Sequence, residues 1–313
     1  MKIVYIAKHN SGGNDEEGAI SHALELLGHK VHRIHERKVP TLSPITGDLL
    51  LFHKWFDIEK LDKISIPKVF WYFDLVNSGD HTLLERDCNR KMWMRLTIPR
   101  VDLGFCTDGD FVIENRPETR STRYVVSEKD GMKLHILRQG FDSRWFDKGV
   151  VNAKNTPRND VFLPAIRRGG GVRREEFIDR VNTDYSGRIT HRLSGAHGQE
   201  LANLIANHKV VIAPDYPISD NYWSNRVYLI LGNGGLLLHP YSKGLSMSFT
   251  SGLHILYYHD YESLQTLIEK YCECEEIRKL ITVNAVNEVK LNHTYVHRCT
   301  QLLDVVKHRF GVS

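Results

Sequence analysis

Short apolar runs that end in polar residues recur along the first half of the chain. Runs of this length predict strands buried in a parallel sheet, here at residues 3–7, 29–35, 48–53, 68–74, 101–107 and 134–140. Residues 19–27 instead place apolar side chains at helical spacing and end before Gly28, a residue that favours the end of a helix. The first half is therefore predicted to be a Rossmann-like α/β domain.

The second half repeats this alternation and adds a helical tail. Strands are predicted at residues 160–165, 209–213, 236–238 and 255–258, and helices at 175–181, 201–207, 260–272, 275–289 and 295–310. Residues 147–158 are polar, as expected of a linker between domains. The chain of 313 residues is therefore predicted to form an N-terminal domain (1–150), a C-terminal domain (157–291) and a C-terminal helix (292–313) that packs back toward the first domain.

Residues 220–238 read as a polar loop, a short helix, a glycine turn and a buried strand. Ser224 or Asn225 is predicted to cap the helix through its side chain, and glycines end it at positions 232, 234 and 235. A helix start with free N–H groups beside Arg226 favours an anion. We interpret this stretch as the place where a nucleotide diphosphate binds.

Two glycine-rich loops follow predicted strands. The loop at 166–174 combines three glycines with four arginines, including Arg173 and Arg174, and precedes a helix. Glycine lets backbone N–H groups approach a phosphate, and arginine offers paired donors, so this loop favours a phosphate ligand over a solvated surface loop. At Gly12 and Gly13 a ligand contact and a plain tight turn both fit the sequence.

Polar residues at strand ends supply candidate catalytic groups in the first domain. His9, His53, Asp74 and Asp108 all come at or just after a predicted strand. In an open α/β sheet such residues lie in the ligand crevice. A satisfied polar group at a strand end is the competing interpretation for each of them.

Composition and charge exclude several classes of protein. No apolar run approaches the roughly 18–20 residues that span a bilayer, and the first residues do not resemble a signal peptide, so a cytoplasmic location is expected. The five cysteines are odd in number and scattered, which favours reduced thiols over disulfides or zinc. A net charge of +4 permits an anionic ligand and permits, without requiring, a nucleic-acid partner. Neither half carries the G-x-G-x-x-G fingerprint of a nicotinamide-dependent oxidoreductase.

Two blocks of the second half carry a resemblance to a known family. Residues 225–228 (Asn-Arg-Val-Tyr) with 232–238 (Gly-Asn-Gly-Gly-Leu-Leu-Leu), followed by 292–295 (Asn-His-Thr-Tyr) and Arg298, are similar to the C-terminal domain of CgeB-like, group 1 type glycosyltransferases. Residues 198–201 and 209–212, and in the first half 70–74 and 140–142, also resemble landmarks of that family. The resemblance covers roughly residues 68–305.

The resemblance implies the GT-B fold, in which two Rossmann-like domains face each other across a cleft. It implies a hexosyl- or pentosyltransferase that takes a nucleotide-sugar donor, most simply a UDP-sugar, without an obligatory metal or other cofactor, and it favours a retaining mechanism. The donor diphosphate would bind at Arg173, Arg174, Ser224, Asn225 and Arg226, with Gly12 and Gly13, and the nucleoside at Gly198, Glu200 and Tyr222. A base, where the mechanism needs one, would be His9, His53 or Asp74.

One position departs from the family pattern and keeps several alternatives open. Retaining relatives often carry two glutamates across this motif, and here those positions hold Asn221 and Leu229. Leu229 cannot hydrogen-bond a ribose, so Glu200 is the candidate for that contact. The acceptor is open among a small molecule, a polymer, a protein and a modified base in DNA, as in phage enzymes. A binding protein without transferase activity is the alternative of a different class.

Overall fold

The computed structural model of the chain forms two compact units. It describes residues 1–9, 15–41, 45–53, 58–115, 134–146, 148, 159–164, 171–191, 196, 198–215 and 217–311. Unit 1 comprises Met1–Asn77, Glu85–Gln139 and Tyr295–Ser313, and unit 2 comprises Ser78–Leu84 and Gly140–Thr294. The predicted linker at 147–158 lies, except for residue 148, outside the described residues.

Unit 1 is built on a six-stranded parallel sheet. Its strands stand in the order β2-β1-β3-β4-β5-β6, with bounds β1 Lys2–Ala7, β2 Lys30–His35, β3 Leu49–Phe52, β4 Lys68–Tyr72, β5 Leu103–Cys106 and β6 Leu134–Ile136. The apolar runs of the sequence predicted all six of these strands. Four of them are buried along their whole length or all but one residue, because helices cover both faces of the sheet.

Helices from both ends of the chain cover one face of this sheet. The unit 1 helices are α1 Glu16–Leu26, α2 Leu84–Thr97, α3 Gly109–Glu114 and α10 Tyr295–Phe310. Helix α1 begins at the cap Asp15, whose carboxylate accepts from the N–H of Gly18 at 2.8 Å. α1 and α10 share one apolar cluster with the sheet, in which Cys299 and Val306 are fully buried. The last helix of the chain therefore completes the core of unit 1.

Unit 2 is built on a five-stranded parallel sheet in the order β11-β10-β9-β7-β8. Its strands are β7 Asn159–Leu163, β8 Ile189–His191, β9 His208–Ile212, β10 Leu237–Pro240 and β11 Leu256–Tyr258. Its helices are α4 Val172–Asp184, α5 Gly198–Ala206, α6 Arg226–Gly232, α7 Lys243–Ser248, α8 Tyr261–Glu273 and α9 Glu275–Asn292. Two apolar clusters fill the two faces of the sheet. The sequence thus correctly predicted two Rossmann-like α/β sheets.

The glycine turn after α6 ends that helix as predicted. The N–H of Gly235 donates to the carbonyl of Ile230 at 2.9 Å, and the N–H of Gly234 donates to that of Leu231 at 3.1 Å. Gly234 has φ +75°, which glycine adopts at little cost. This pair of bonds satisfies carbonyls that the helix end leaves open and directs the chain into the buried strand β10.

We expect Gly232→Ala to destabilise unit 2 although the position has ordinary helical geometry. The ring of the fully buried Phe141 occupies the place of the added Cβ. Overpacking of this kind costs about 1–3 kcal/mol, which urea unfolding measures. Gly187→Ala is a comparison with a different cause: an added Cβ there meets no atom, so its cost of about 1–2 kcal/mol comes from left-handed backbone strain, which Gly232 does not have. Unchanged stability of Gly232→Ala would contradict the close packing.

Several elements differ from the pattern-based prediction. Helix α4 begins at Val172 and not at residue 175, because Gly171 turns the chain with φ +76°. Helix α2 was not predicted, since only Asp87, Met94 and Thr97 of its fourteen residues are buried and its sequence lacks a clear apolar stripe. Strand β8 was also missed, because it has three residues, none of them fully buried.

Candidate functional site

The carboxyl ends of β7 and β9 form the switch point of the unit 2 sheet. β8 lies on one side of β7 and β9 on the other, so the successive crossovers leave β7 in opposite directions. Ligands of open α/β sheets bind in the crevice that opens at such a point. Pro164 lies just past β7 and Asp215 just past β9, and both belong to the site described next.

Asp215 is the buried centre of this site. Its Oδ1 accepts hydrogen bonds from the hydroxyl of Ser224 at 2.9 Å and from Nη2 of Arg226 at 2.7 Å. Its Oδ2 accepts from the backbone N–H of Ser224 at 2.8 Å and lies 3.3 Å from Nε2 of His239. Arg226 also donates to the Pro164 carbonyl at 3.4 Å. The guanidinium of Arg226 is therefore held in one orientation at the end of β7.

The charge of Asp215 is fixed by its partners. Burial alone would raise the pKa of this carboxyl, but the positive charge of Arg226, with the hydrogen bonds from His239 and Ser224, holds that pKa well below its ordinary value. His239 is itself buried, and its Nδ1 lies 2.7 Å from the carbonyl of Pro240. Asp215 is thus an anion at neutral pH and serves as a built-in counter-ion for Arg226.

Arg174 brings a second positive charge, for which no described residue provides an ion pair. It is the third residue of α4, it is only 9% exposed, and its Nε has no hydrogen-bond partner among the described residues. Burial, and then the positive charge of Arg226, lower the pKa of Arg174 to about 10, while Asp215 and Tyr222 act in the opposite direction. Two guanidinium groups against one carboxylate leave a net positive charge, which a phosphate group would neutralise.

The structure assigns Ser224 and Asn225 different roles from the predicted one. Asn225 precedes α6 with helical backbone angles (φ −56°, ψ −21°) and makes no side-chain cap. The Ser224 hydroxyl donates to Asp215 and lies 3.2 Å from Nε of Arg226. The predicted side-chain cap is therefore wrong for Asn225, and Ser224 contributes by anchoring Arg226. Tyr222 is half-buried, two residues before Ser224.

Arg173 lies in different surroundings from the buried Arg174. It lines a cavity of about 620 Å³ in unit 2, together with Val172 and Glu176 of α4 and residues of the 78–82 and 217–218 segments. Gly171 lies against this cavity wall, since a Cβ there would meet Oδ2 of Asp80 at 2.7 Å. The rest of the predicted glycine loop, residues 165–170, lies outside the described residues.

The predicted nucleoside residues lie at the start of α5. Gly198 has φ +53°, and a Cβ added at this position would meet the indole of Trp145 at 2.8 Å. The close approach of that ring therefore requires glycine. Glu200 is exposed in the first turn of the same helix. Leu229 is partly buried and packs into the apolar cluster of unit 2, which agrees with its apolar side chain. The ribose contact of Glu200 stays a prediction.

In unit 1, His53 is enclosed in the interior. Its Nδ1 lies 2.7 Å from the carbonyl of Trp71, and its Nε2 makes a hydrogen bond with the hydroxyl of Tyr5. Burial raises the pKa of Tyr5 well above its ordinary value, so that hydroxyl keeps its proton and donates it to His53. Both ring nitrogens are occupied, which gives His53 the structural role of a satisfied core histidine.

His9 lies at the switch point of unit 1, past the end of β1. Its Nε2 donates to the carbonyl of Tyr5 at 3.0 Å, and burial lowers its pKa, so the ring is neutral at neutral pH. Sequence reasoning missed Glu17 in the first turn of α1, where burial raises the pKa of the carboxyl to about 7. Gly12 and Gly13 lie outside the described residues.

Asp74 and Asp108 follow neighbouring strands but differ in environment. The Asp108 carboxylate caps α3 and accepts from the N–H groups of Val76 and Phe111 at 2.8 and 3.0 Å, so it stabilises the loop after β4. The Asp74 side chain is 41% exposed and lies 3.4 Å from Nη2 of Arg90. The Asp74 side chain lines a cavity.

Sequence reasoning missed Asp215 and His239, although a signal for them was available. Both follow or end an apolar run of the second half, which is the position that singled out His53 and Asp74 in the first half. Among the described residues no group of three or more histidine, cysteine or acidic side chains is arranged to hold a metal ion. Nor does any helix within them have the length and apolar character to cross a membrane.

The arginine site lies inside a region with a recognisable family signature. Residues 162–304 match the family model described as glycosyl transferase-like. This range includes Arg174, Asp215, Arg226 and His239. No curated protein sequence is detectably similar to the chain, and the CgeB-like subtype stays a prediction.

Solved glycosyltransferases share the fold over the whole chain. The α,α-trehalose-phosphate synthase (UDP-forming) of Burkholderia vietnamiensis has a TM-score of 0.69 at 10% identity, covering 100% of this chain and 98% of that one. HepE of Anabaena, solved with UDP and glucose, has a TM-score of 0.63 at 11% identity, with 98% and 99% covered. An α-glucosyltransferase solved with UDP and a 13-mer DNA has a TM-score of 0.65 at 10% identity, with 98% and 100% covered. The chain therefore has the GT-B fold, and residues 162–304 of it match a glycosyl transferase-like family model.

Proposed function

We propose that the protein transfers a sugar from a nucleotide-diphosphate sugar to an acceptor hydroxyl, and that Arg174 and Arg226 bind the donor diphosphate. The observation that carries this proposal is the buried guanidinium of Arg174, which has no counter-ion among the described residues, beside an Arg226 already balanced by Asp215. Keeping such a charge buried is costly unless an anion completes the site. A diphosphate supplies that anion and fits between paired arginine donors.

The same arrangement suits the chemistry of sugar transfer. The bond between C1 of the sugar and the phosphate oxygen breaks while a bond forms between C1 and the acceptor oxygen. Negative charge grows on the departing diphosphate, so fixed positive groups stabilise the transition state more than the bound donor. In the retaining, metal-independent mechanism that we favour, the acceptor proton passes to the departing phosphate oxygen. An inverting enzyme would use a base, for which His9 and Asp74 are our candidates.

UDP is the nucleotide that we propose for the donor. Support comes from the two similar folds solved with UDP, HepE and the α-glucosyltransferase. Gly198, Glu200 and Tyr222 remain our candidates for the nucleoside, with Gly198 in the first turn of α5. The sugar is a hexose or a pentose in this proposal.

Two alternatives keep specific support. The α-glucosyltransferase of similar fold was solved with DNA, which supports a modified base as acceptor; binding to DNA that weakens steeply with salt would favour it. Leu229, packed in the apolar cluster where retaining relatives place a glutamate, supports a protein that binds the nucleotide without transfer. Donor binding without any release of UDP would favour this second alternative.

Thermal unfolding with UDP tests the proposal directly. UDP at a hundred times its Kd should stabilise the folded chain by about 2.7 kcal/mol and raise the melting temperature accordingly. Prolonged incubation with UDP-glucose should release UDP, measured by coupled assay. The same experiment with GDP, ADP, dTDP and CMP serves as the comparison. If none of the five nucleotides shifts the melting temperature, the proposal fails.

A further inference from the structure

A second cavity lies entirely within unit 1, at the carboxyl end of β4. It has a volume of about 570 Å³ and is lined by Tyr72, Asp74, Glu85, Arg86, Asn89, Arg90 and Trp93. Four of these residues, at positions 86, 89, 90 and 93, stand three or four apart on α2 and therefore share one face of that helix. The helix that the apolar pattern failed to predict thus directs at a cavity a face that is polar except for Trp93.

The charges of this cavity balance. Asp74 and Glu85 are acidic and Arg86 and Arg90 are basic, so the lining is neutral as a whole. Arg90 is anchored, since its Nη1 donates to the carbonyl of Leu75 at 2.6 Å and its Nη2 lies 3.4 Å from Asp74. A phosphate or another strongly charged ligand would gain little from such a wall. Alternating donors and acceptors instead suit hydroxyl groups, which both donate and accept.

The floor of the cavity is aromatic. Trp93 is half-buried and stacks on Tyr72 with ring centroids 5.9 Å apart and an interplanar angle of 28°. Tyr72 is only 3% exposed, and its hydroxyl makes no hydrogen bond within the described part of the chain. A hydroxyl without a protein partner, on a residue that lines a cavity, can bond a ligand oxygen. Rings beside polar groups match a ligand with apolar C–H faces and hydroxyl edges.

We propose that this cavity binds a neutral carbohydrate, and that this carbohydrate is the acceptor. The acceptor role rests on the proposed transferase function. Tyr72 and Asn89 would donate to hydroxyl oxygens of the ligand, the Asp74 carboxylate would accept from a hydroxyl, and Trp93 would contact its apolar face. The volume suits one or two sugar rings. Asp74 then acts by binding and orienting the acceptor.

Saturation-transfer NMR on the full chain with saturating UDP tests this site. The probes are glucose, galactose, mannose, maltose and cellobiose, and a 13-mer DNA duplex. At least one sugar should bind, and its affinity should fall tenfold or more in Asn89→Ala and in Asp74→Asn, two changes at exposed or half-exposed positions. Met92→Gln, on the exposed side of α2 and outside the cavity, should bind that sugar as the wild type does. The binding sugar should also accelerate release of UDP from UDP-glucose.

Each other result overturns the inference. Binding of no sugar, sugar binding that both variants retain, or binding of the DNA duplex alone would each remove the carbohydrate site. UDP binding, followed in the same samples by its thermal shift, separates this failure from that of the proposed function. Intact UDP binding without sugar binding refutes the carbohydrate site alone. Sugar binding without UDP binding refutes the donor proposal, and with it the acceptor role, but leaves the carbohydrate site standing.

Discussion

Arg174→Met should bind UDP roughly 10- to 100-fold more weakly than the wild-type protein while unfolding at a higher temperature. The loss of affinity follows from removing charge-assisted hydrogen bonds to the diphosphate, each worth about 1.5–3 kcal/mol. The gain in stability follows from removing a buried guanidinium whose Nε has no partner among the described residues. An unsatisfied buried polar group costs about 1–3 kcal/mol, and methionine fills much of the same space with an apolar chain.

Opposite changes in affinity and stability distinguish this binding role from a structural one. Titration calorimetry with UDP gives the affinity, and thermal unfolding without ligand gives the stability. Turnover of UDP-glucose should fall by about two orders of magnitude or more, as when a donor to a developing anion is removed. Arg180→Met is the matched control, since its side chain lies on the same helix with 61% exposure and its ion pair with Asp184 is long, at 3.9 Å. An Arg174→Met protein that is destabilised and binds UDP normally would contradict the proposed site.

The two arginines of this site were predictable from sequence, whereas the carboxylate that organises it was not. Arg174 comes just after three glycines and near a helix start, and Arg226 stands at a helix start, which is local information. Asp215 stands nine residues before Ser224, eleven before Arg226 and twenty-four before His239, and only the arrangement of β7, β9 and β10 brings these groups together. Spacing along the chain does not indicate which carboxylate lies against which arginine.

The same limit explains why strand-end polar residues of the first half have unequal roles. His53 and Asp74 looked alike in sequence, since each follows an apolar run. Tyr5 and Trp71, at distances of 48 and 18 residues, occupy both nitrogens of His53, whereas Asp74 lies at the wall of a cavity. Apolar runs identified the described strands other than β8, because both faces of each sheet are covered. Helix α2 was not predicted because its apolar residues form no single stripe: Leu84 and Met92 are exposed, whereas Met94 is buried.

Asp215→Asn should destabilise unit 2 by about 3–5 kcal/mol at pH 7. This is the cost of leaving one charge of a buried ion pair without its partner. Both oxygens of Asp215 accept from N–H or O–H donors, so the amide NH₂ of asparagine would face a donor in either orientation. Arg226 would lose its counter-ion while the positive charge of Arg174 stays nearby. Without that counter-ion, Arg226 would also lose its fixed orientation toward the diphosphate. Asp62→Asn is the control, since the same change there removes only an exposed pair with Arg100, worth at most about 1 kcal/mol.

The pH dependence of the stability lost in Asp215→Asn tests the charge of Asp215 separately from its shape. Because the folded-state pKa of Asp215 lies well below its ordinary value, its contribution is fully present above the unfolded pKa of about 3.9 and is lost as the pH falls toward the folded value. Urea unfolding should therefore give a difference in the free energy of unfolding, between wild-type and Asp215→Asn proteins, that is constant from pH 5 to 8. This difference should narrow only below about pH 4. A gap that widens in acid, or one absent at pH 7, would mean that Asp215 is not the counter-ion that holds Arg226 in place.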